Sequence, residues 1–244
     1  MPVRTKPTYQ DYSQYTADDF QVWKTLFERQ MAHLPGRVAQ DYLDAMKSIG
    51  FQADAIPHID HLNVRLLPET GWQLKVVPEL VPIEVFLEHL SRRIFPVTCW
   101  LRLPDELDYL EEPDMFHDVF GHVPLLTNPD YATFFQALGA LGTRHIDKPE
   151  VITRLYRLYW FTVEFGLVKE GEQTRIYGAG IVSSIGETQH ALSEAVRHHP
   201  FDMEQIAQHA FRTDVMQNEY YIINSFDTLR RSVPDMERVM LADT

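Results

Sequence analysis

Apolar residues in this chain recur mostly three and four apart rather than in strict alternation, and each run is bounded by a residue that starts or stops a helix. Thr16-Ala17-Asp18-Asp19 precedes Phe20, Trp23, Leu26, Phe27 and Met31, which predicts a first helix ending near Pro35-Gly36. A second is expected through Val38, Tyr42, Leu43 and Met46, stopped by Gly50, since glycine readily takes the left-handed conformation that closes a helix. Pro82 opens a helix through Phe86, Leu87 and Leu90. Pro129 opens another through Tyr131, Phe134, Phe135 and Leu138, where a first-turn proline sacrifices no hydrogen bond. A further helix is expected over 149–166.

Only two places read as strand. Trp72, Leu74 and Val76 alternate with Gln73 and Lys75 before Pro78, and apolar pieces at 165–168 and 174–177 flank Lys169-Glu170-Gly171-Glu172 as a hairpin. The C-terminal third reads as more helices, and the strands look too few and short for a central sheet. With no repeat or linker in 244 residues, the expectation is one domain over 1–244, mainly α with short β-strands.

A formal net charge of −13 without a long Lys/Arg run argues against nucleic acid as a partner. Cys99 is the only cysteine, so an intrachain disulfide and a cysteine-based zinc or iron–sulfur site are excluded, which suits a reducing cytoplasm. Residues 1–16 lack the apolar core of a secretory signal and no stretch is long enough to span a bilayer, so a soluble cytoplasmic protein is expected.

The segment Pro113-Asp114-Met115-Phe116-His117-Asp118-Val119-Phe120-Gly121-His122-Val123-Pro124 sets two histidines five apart. On an α-helix five residues rotate about 500°, leaving the second imidazole about 140° from the first. A turn is therefore expected between them, with Gly121 ending the helix and Pro124 preventing its resumption. Glu164 is a lone carboxylate in the apolar stretch Tyr159-Trp160-Phe161-Thr162-Val163-Glu164-Phe165-Gly166, and a buried carboxylate is costly unless paired or metal-bound. Two neutral imidazoles and a carboxylate on one face of an octahedron leave positions open for O2 or substrate, as in Fe(II) oxygenases. Zinc peptidases use the same ligand types, and a salt bridge from Glu164 to Arg157 or Arg175 is the structural alternative.

These residues resemble the pterin-dependent aromatic amino acid hydroxylases, with the bacterial phenylalanine hydroxylases most similar. The resemblance rests on Glu112-Pro113-Asp114 with 117–125, on 159–167, on Tyr177-Gly178-Ala179-Gly180 with Ser183-Ser184, and on Gly186-Glu187, all in the family's order; weaker likeness covers 71–229. It implies that family's catalytic-domain fold and hydroxylation of L-phenylalanine to L-tyrosine with Fe(II), a tetrahydropterin and O2. By the resemblance, His117, His122 and Glu164 are the catalytic metal ligands. Arg102 pairs with the substrate carboxylate and Asp114 orients it, a task suited to a planar guanidinium. Trp160, Pro113 and His117 pack the substrate ring, Gly180 and Ser183 enclose its amino acid end, and Tyr109 and Leu110 lie on the substrate side.

The pterin side falls on Leu80, Val81, Phe86, Asp118 and Tyr159, with Phe86 matching the residue that stacks on the bicyclic ring. The chain departs from the family at Leu110, where animal members often have threonine, and at Glu79, where many have glycine. Tyr156 stands where the family is often small, and Gln217-Asn218-Glu219 lacks the usual proline. Tryptophan or another aromatic amino acid is an alternative substrate. A zinc-dependent hydrolase is another reading, and would need Glu112 or Asp118 as general base. A monomer is expected, because the family's regulatory module and tetramerising helix find no counterpart here.

Overall fold

Thr16 does what its position demands: its side chain accepts from the Asp19 N–H while the Asp19 carboxylate accepts from the Thr16 N–H, a reciprocal box that opens α1 (Ala17–Met31). The computed structural model describes residues 6–108, 110 and 112–242. α2 (Gln40–Ile49) stops at Gly50, which has φ +78°. Then come α3 (Ile59–Thr70), β1 (Gln73–Val76), α4 (Ile83–Ser91) and β2 (Ile94–Val97). β1 and β2 pair in parallel, Gln73 opposite Ile94 and Val76 opposite Val97, with α4 as the crossover.

α3 escaped the sequence reading because Pro68 and the exposed Val64 and Leu67 obscure its pattern; Ile59, Leu62 and Leu66 nonetheless make a buried stripe at helical spacing. After β2 a π-helical segment (Phe116–His122) leads to α5 (Pro129–Arg144), which is capped by Asn128 and has proline at its first turn. The expected 149–166 helix divides into α6 (Pro149–Tyr159) and a second π-helical segment (Trp160–Glu164).

The hairpin forms as β3 (Leu167–Glu170) and β4 (Gln173–Ile176), turning at Gly171 with φ +59°. α7 (Ala179–Val182), α8 (Ile185–His190), β5 (Arg197–Pro200), α9 (Met203–Gln208), β6 (Glu219–Ile223) and α10 (Phe226–Leu241) complete the chain. The C-terminal third is thus not helical throughout. β5 and β6 join the hairpin in a four-stranded sheet of order β4-β3-β6-β5, with β6 parallel to both neighbours. β5 reads Arg-His-His-Pro, and only its pairing with Glu219–Ile222 makes it a strand.

One hydrophobic core runs through the described residues from Val22 to Met240. Its aromatic centre joins Trp23 of α1 to Phe116 (5.5 Å), Phe116 stacks on Phe120 (4.5 Å), and the Tyr42 hydroxyl of α2 donates to the Phe120 carbonyl. The first π-helical segment is thereby held from behind. α4 and α5 approach so closely that a Cβ at Gly139 would sit 2.4 Å from Leu90 Cβ and 2.5 Å from the Ser91 nitrogen. Gly139→Ala is expected to force these helices apart at about 1–3 kcal/mol, the usual cost of overpacking. Urea unfolding checks this, and an unchanged midpoint would contradict the close approach.

Among the described residues no helix is long and apolar enough to cross a membrane.

Candidate functional site

The five-residue histidine spacing resolves differently from the expected helix stop. Gly121 does not take a left-handed conformation, and the chain continues helically through His122 to Val123. The turn is instead widened: a π turn bonds i to i+5, so residues five apart come to lie over one another. His122 Nε2 thereby faces His117 Nε2 at 3.4 Å. The second π-helical segment delivers Glu164 opposite them, its carboxylate oxygens 3.2 Å from His122 Nε2 and 3.7 Å from His117 Nε2. One ligand atom from each residue lies within 4.8 Å of the others, and this is the only such group of three found among the described residues.

Exposure tells which side is open. The side chains of His122 and Glu164 are 2% and 10% exposed, whereas His117 is 22% exposed, so a small molecule approaches from the His117 side. The salt-bridge alternative for Glu164 finds no support, because Arg157 donates to the Ala207 carbonyl and Arg175 pairs with Glu170.

The protonation states match what a divalent cation requires. Burial pushes the His117 imidazole down to about 4, which leaves it neutral at physiological pH. Burial alone would raise Glu164, but the two imidazoles and the Tyr159 hydroxyl outweigh it and hold the carboxyl down at about 2. Two imidazole nitrogens and one anionic oxygen, gathered within 4.8 Å, fit a divalent metal with positions to spare.

Neighbouring groups fix the donors' orientations. Ser183 Oγ donates to the Ala179 carbonyl at 2.8 Å and lies 3.0 Å from His117 Nδ1, so it accepts the Nδ1 proton and leaves Nε2 as the free lone pair. The Tyr159 hydroxyl donates to Glu164 Oε1 at 2.7 Å. Such partners typically contribute about 10- to 100-fold in metal affinity. Ser183→Ala is therefore expected to weaken Fe(II) binding by that factor, read by competition against a chelator; unchanged affinity would show that the tautomer is fixed some other way.

Arg102 and Asp114 meet as a buried fork. Nε and Nη2 donate to the two Asp114 oxygens at 2.9 Å each, and the Arg102 backbone N–H adds a bond at 3.0 Å. Asp114 also accepts from the His117 N–H at 3.2 Å, which ties the guanidinium to the first histidine. Burial would raise the Asp114 carboxyl, but the bonds from Arg102 prevail and lower it. Among the described residues, Arg102 Nη1 meets only the Leu107 carbonyl, at 3.5 Å, which leaves it the weakest-held of the guanidinium donors.

Of the other expected substrate residues, Leu110, Pro113, Trp160, Gly180 and Ser183 are half-buried; Tyr109 lies outside the described residues. A Cβ at Gly180 would sit 2.9 Å from the Phe165 ring and 3.2 Å from the Glu164 carbonyl, so this glycine packs against the backbone that carries Glu164. Phe86 and Tyr159 meet edge to face at 5.8 Å and line a narrow apolar cleft of about 20 Å³ with Ile83, Leu87 and Tyr156. Val81 precedes them half-buried, and Leu80 is 70% exposed, an apolar side chain with nothing packed over it. Asp118 is engaged rather than free: its Oδ2 accepts from the Thr98 N–H (2.7 Å) and hydroxyl (2.8 Å), while burial pushes its carboxyl up to about 7.

Sequence reasoning missed Thr98 and Phe211, and marked Gln217 only for lacking the usual proline after it. Phe211 stacks on Trp160 at 4.4 Å, and Gln217 accepts from the indole N–H at 3.1 Å. No spacing rule links positions so far apart; only the unusual Gln217-Asn218-Glu219 marked that region. An open cavity of about 440 Å³, lined by Glu204, Gln205, Gln208, His209 and Glu219, shares no residue with the metal-type cluster, and its wide mouth offers nothing to enclose a small ligand.

Residues 9–240 match the family model of the biopterin-dependent aromatic amino acid hydroxylases. Phenylalanine-4-hydroxylase of Ralstonia nicotianae is 47% identical over 221 residues, covering 90% of this chain and 70% of that protein. The Pseudomonas aeruginosa enzyme of the same name is 40% identical over 237 residues, 97% of this chain and 86% of its own length. Chromobacterium violaceum phenylalanine hydroxylase with bound Fe(III) superposes with a TM-score of 0.91 at 42% identity, covering 98% of this chain and 88% of that one. Its complex with iron(III) and 7,8-dihydrobiopterin gives 0.90 at the same identity, covering 98% and 87%. With the His117–His122–Glu164 cluster set in that fold, the chain belongs to the biopterin-dependent aromatic amino acid hydroxylases.

Proposed function

We propose that this chain is a phenylalanine 4-monooxygenase, converting L-phenylalanine to L-tyrosine with Fe(II), a tetrahydropterin and O2. The observation that carries the reading is the convergence of His117, His122 and Glu164 beside a buried Arg102–Asp114 fork, in a chain 40–47% identical to phenylalanine-4-hydroxylases. Iron and reduced pterin supply the activation of O2, which no amino acid side chain provides.

The chain's own residues position the reactants. His117, His122 and Glu164 hold the metal by Nε2, Nε2 and a carboxylate oxygen, with Ser183 and Tyr159 orienting the first and last. Arg102 holds the substrate carboxylate through Nη1, because Asp114 already fixes the rest of its fork. Pro113, His117 and Trp160 flank the ring, Gly180 and Ser183 close on the amino acid end, and Tyr109 and Leu110 border the same side. Phe86 and Tyr159 form the aromatic wall for the pterin, with Leu80 and Val81 in the loop before them and Asp118 anchoring the metal-bearing segment to the end of β2 through Thr98. The apolar surroundings of these groups exclude water, which keeps oxidation directed at the substrate.

The zinc hydrolase reading lacks a base: Lys6 binds Glu112 at 2.6 Å, and Thr98 occupies Asp118. We also take the chain to act as a cytoplasmic monomer without nucleic acid or membrane partners, in keeping with its net charge of −13; a stable tetramer in light scattering would refute the monomer. The substrate is tested by reconstituting the protein anaerobically with Fe(II) and supplying O2 with each aromatic amino acid, with and without tetrahydropterin. Pterin-dependent tyrosine formation is expected. Preference for tryptophan would transfer the same chemistry to the larger ring.

A further inference from the structure

Glu187 is a buried carboxylate that the metal centre does not use. It is 8% exposed, its Oε2 accepts from the Tyr220 hydroxyl at 2.6 Å, and its Oε1 accepts from the Gln217 N–H at 3.2 Å. Burial raises its pKa against these two bonds. An acidic group in an apolar corner costs stability unless such bonds offset it, so its place calls for a reason other than packing.

Gln217 is the link to the site. Its Oε1 accepts from the Trp160 indole N–H, and its Nε2 donates to the carbonyls of Arg212 (2.8 Å) and Val215 (3.0 Å). The loop between α9 and β6 is thus folded around this one side chain. The same loop carries Phe211, whose ring lies on Trp160 at 4.4 Å with 14° between planes and meets Tyr156 edge to face at 5.3 Å. Trp160 is braced through both its ring and its N–H, and Glu187 holds the brace by the Gln217 backbone. Four residues earlier, Ser183 holds His117. The short corner 183–187 therefore fixes a metal ligand at one end and the aromatic wall at the other.

We propose that Glu187, acting through Gln217 and Phe211, is a positioning residue that sets how Trp160 fits the substrate ring and thereby the preference among aromatic amino acids. The inference rests on the hydroxylase reading above. A misplacement of the order of 1 Å at a reacting group costs up to about a hundredfold. Glu187→Ala and Phe211→Ala are expected to raise KM for phenylalanine about tenfold and to lower both the phenylalanine-to-tryptophan ratio of kcat/KM and the tyrosine formed per tetrahydropterin oxidised. Iron content and KM for the pterin should stay unchanged. Glu187→Gln should behave like the unmodified enzyme, since an amide can accept from the Gln217 N–H and donate to the Tyr220 oxygen.

Phe211→Ala leaves no buried polar group unpaired, so it decides the matter if Glu187→Ala does not fold. Folded, iron-loaded variants that merely lose thermal stability, while keeping phenylalanine KM and substrate preference, would overturn the proposal with the hydroxylase reading intact. An unmodified enzyme that hydroxylates no aromatic amino acid would overturn both.

Discussion

His117→Ala, His122→Ala and Glu164→Ala are each expected to abolish iron binding and hydroxylation in a chain that still folds. Each removes one of three donors gathered within 4.8 Å, and no other His, Cys, Asp or Glu among the described residues joins that group to replace it. Changes to groups that only orient a ligand already cost about 10- to 100-fold in metal affinity, so direct loss of a ligand should exceed about a hundredfold. The fold should survive because the segment carrying both histidines is held by Trp23, Phe116, Phe120 and Tyr42, none of which touches the metal positions. Iron content and tyrosine formation are measured together, with circular dichroism as the control. A folded alanine variant with full iron and activity would remove that residue from the ligand set.

Arg102→Ala is expected to weaken phenylalanine use by about tenfold to a hundredfold or more, since a charge-assisted bond to a carboxylate contributes roughly 1.5–3 kcal/mol and each 1.4 kcal/mol is about tenfold. The structure adds a second consequence. Asp114 is fully buried, and removing Arg102 leaves its charge uncompensated, a loss of about 3–5 kcal/mol in stability. Arg102→Lys separates the two effects, because it keeps a positive charge but cannot reproduce the fork. It should fold nearly normally, with an elevated KM for phenylalanine and an unaltered KM for pterin. The folded pKa of Asp114 is lowered, so the pair's stabilisation is fully present above the unfolded value near 3.8 and is lost as pH falls below it through the folded value. Acid unfolding of Arg102→Ala should accordingly lack this contribution, while steady-state kinetics that match the unmodified enzyme would contradict the role of Arg102.

Local chemistry was legible in the sequence. Thr16, Gly50 and Pro129 mark helix ends because capping, left-handed geometry and a missing N–H act within a few residues. The lone carboxylate at Glu164 and the paired histidines stood out because their chemistry is costly elsewhere, and the structure brings the three within 4.8 Å. The way five residues bring two imidazoles together was not legible, since a π turn differs from an α turn by one residue and is held here by tertiary packing. A Cβ at Gly121 would lie 3.1 Å from the Ala179 carbonyl of α7, evidence of how closely that packing presses on the turn. β5 becomes a strand only beside β6. Phe211 was invisible for the same reason, and Gln217 was marked only by the missing proline after it: the Gln217–Trp160 bond spans 57 positions.

The central claim is that His117, His122 and Glu164 would hold the Fe(II) with which this chain hydroxylates phenylalanine by O2. Mass spectrometry of tyrosine formed under ¹⁸O₂ by the Fe(II)-loaded protein with tetrahydropterin tests it most directly. The account predicts one ¹⁸O in the tyrosine hydroxyl, absent when pterin is omitted, when Zn(II) replaces Fe(II), or in Glu164→Ala. Tyrosine carrying oxygen from water, or formed equally with Zn(II), would contradict it.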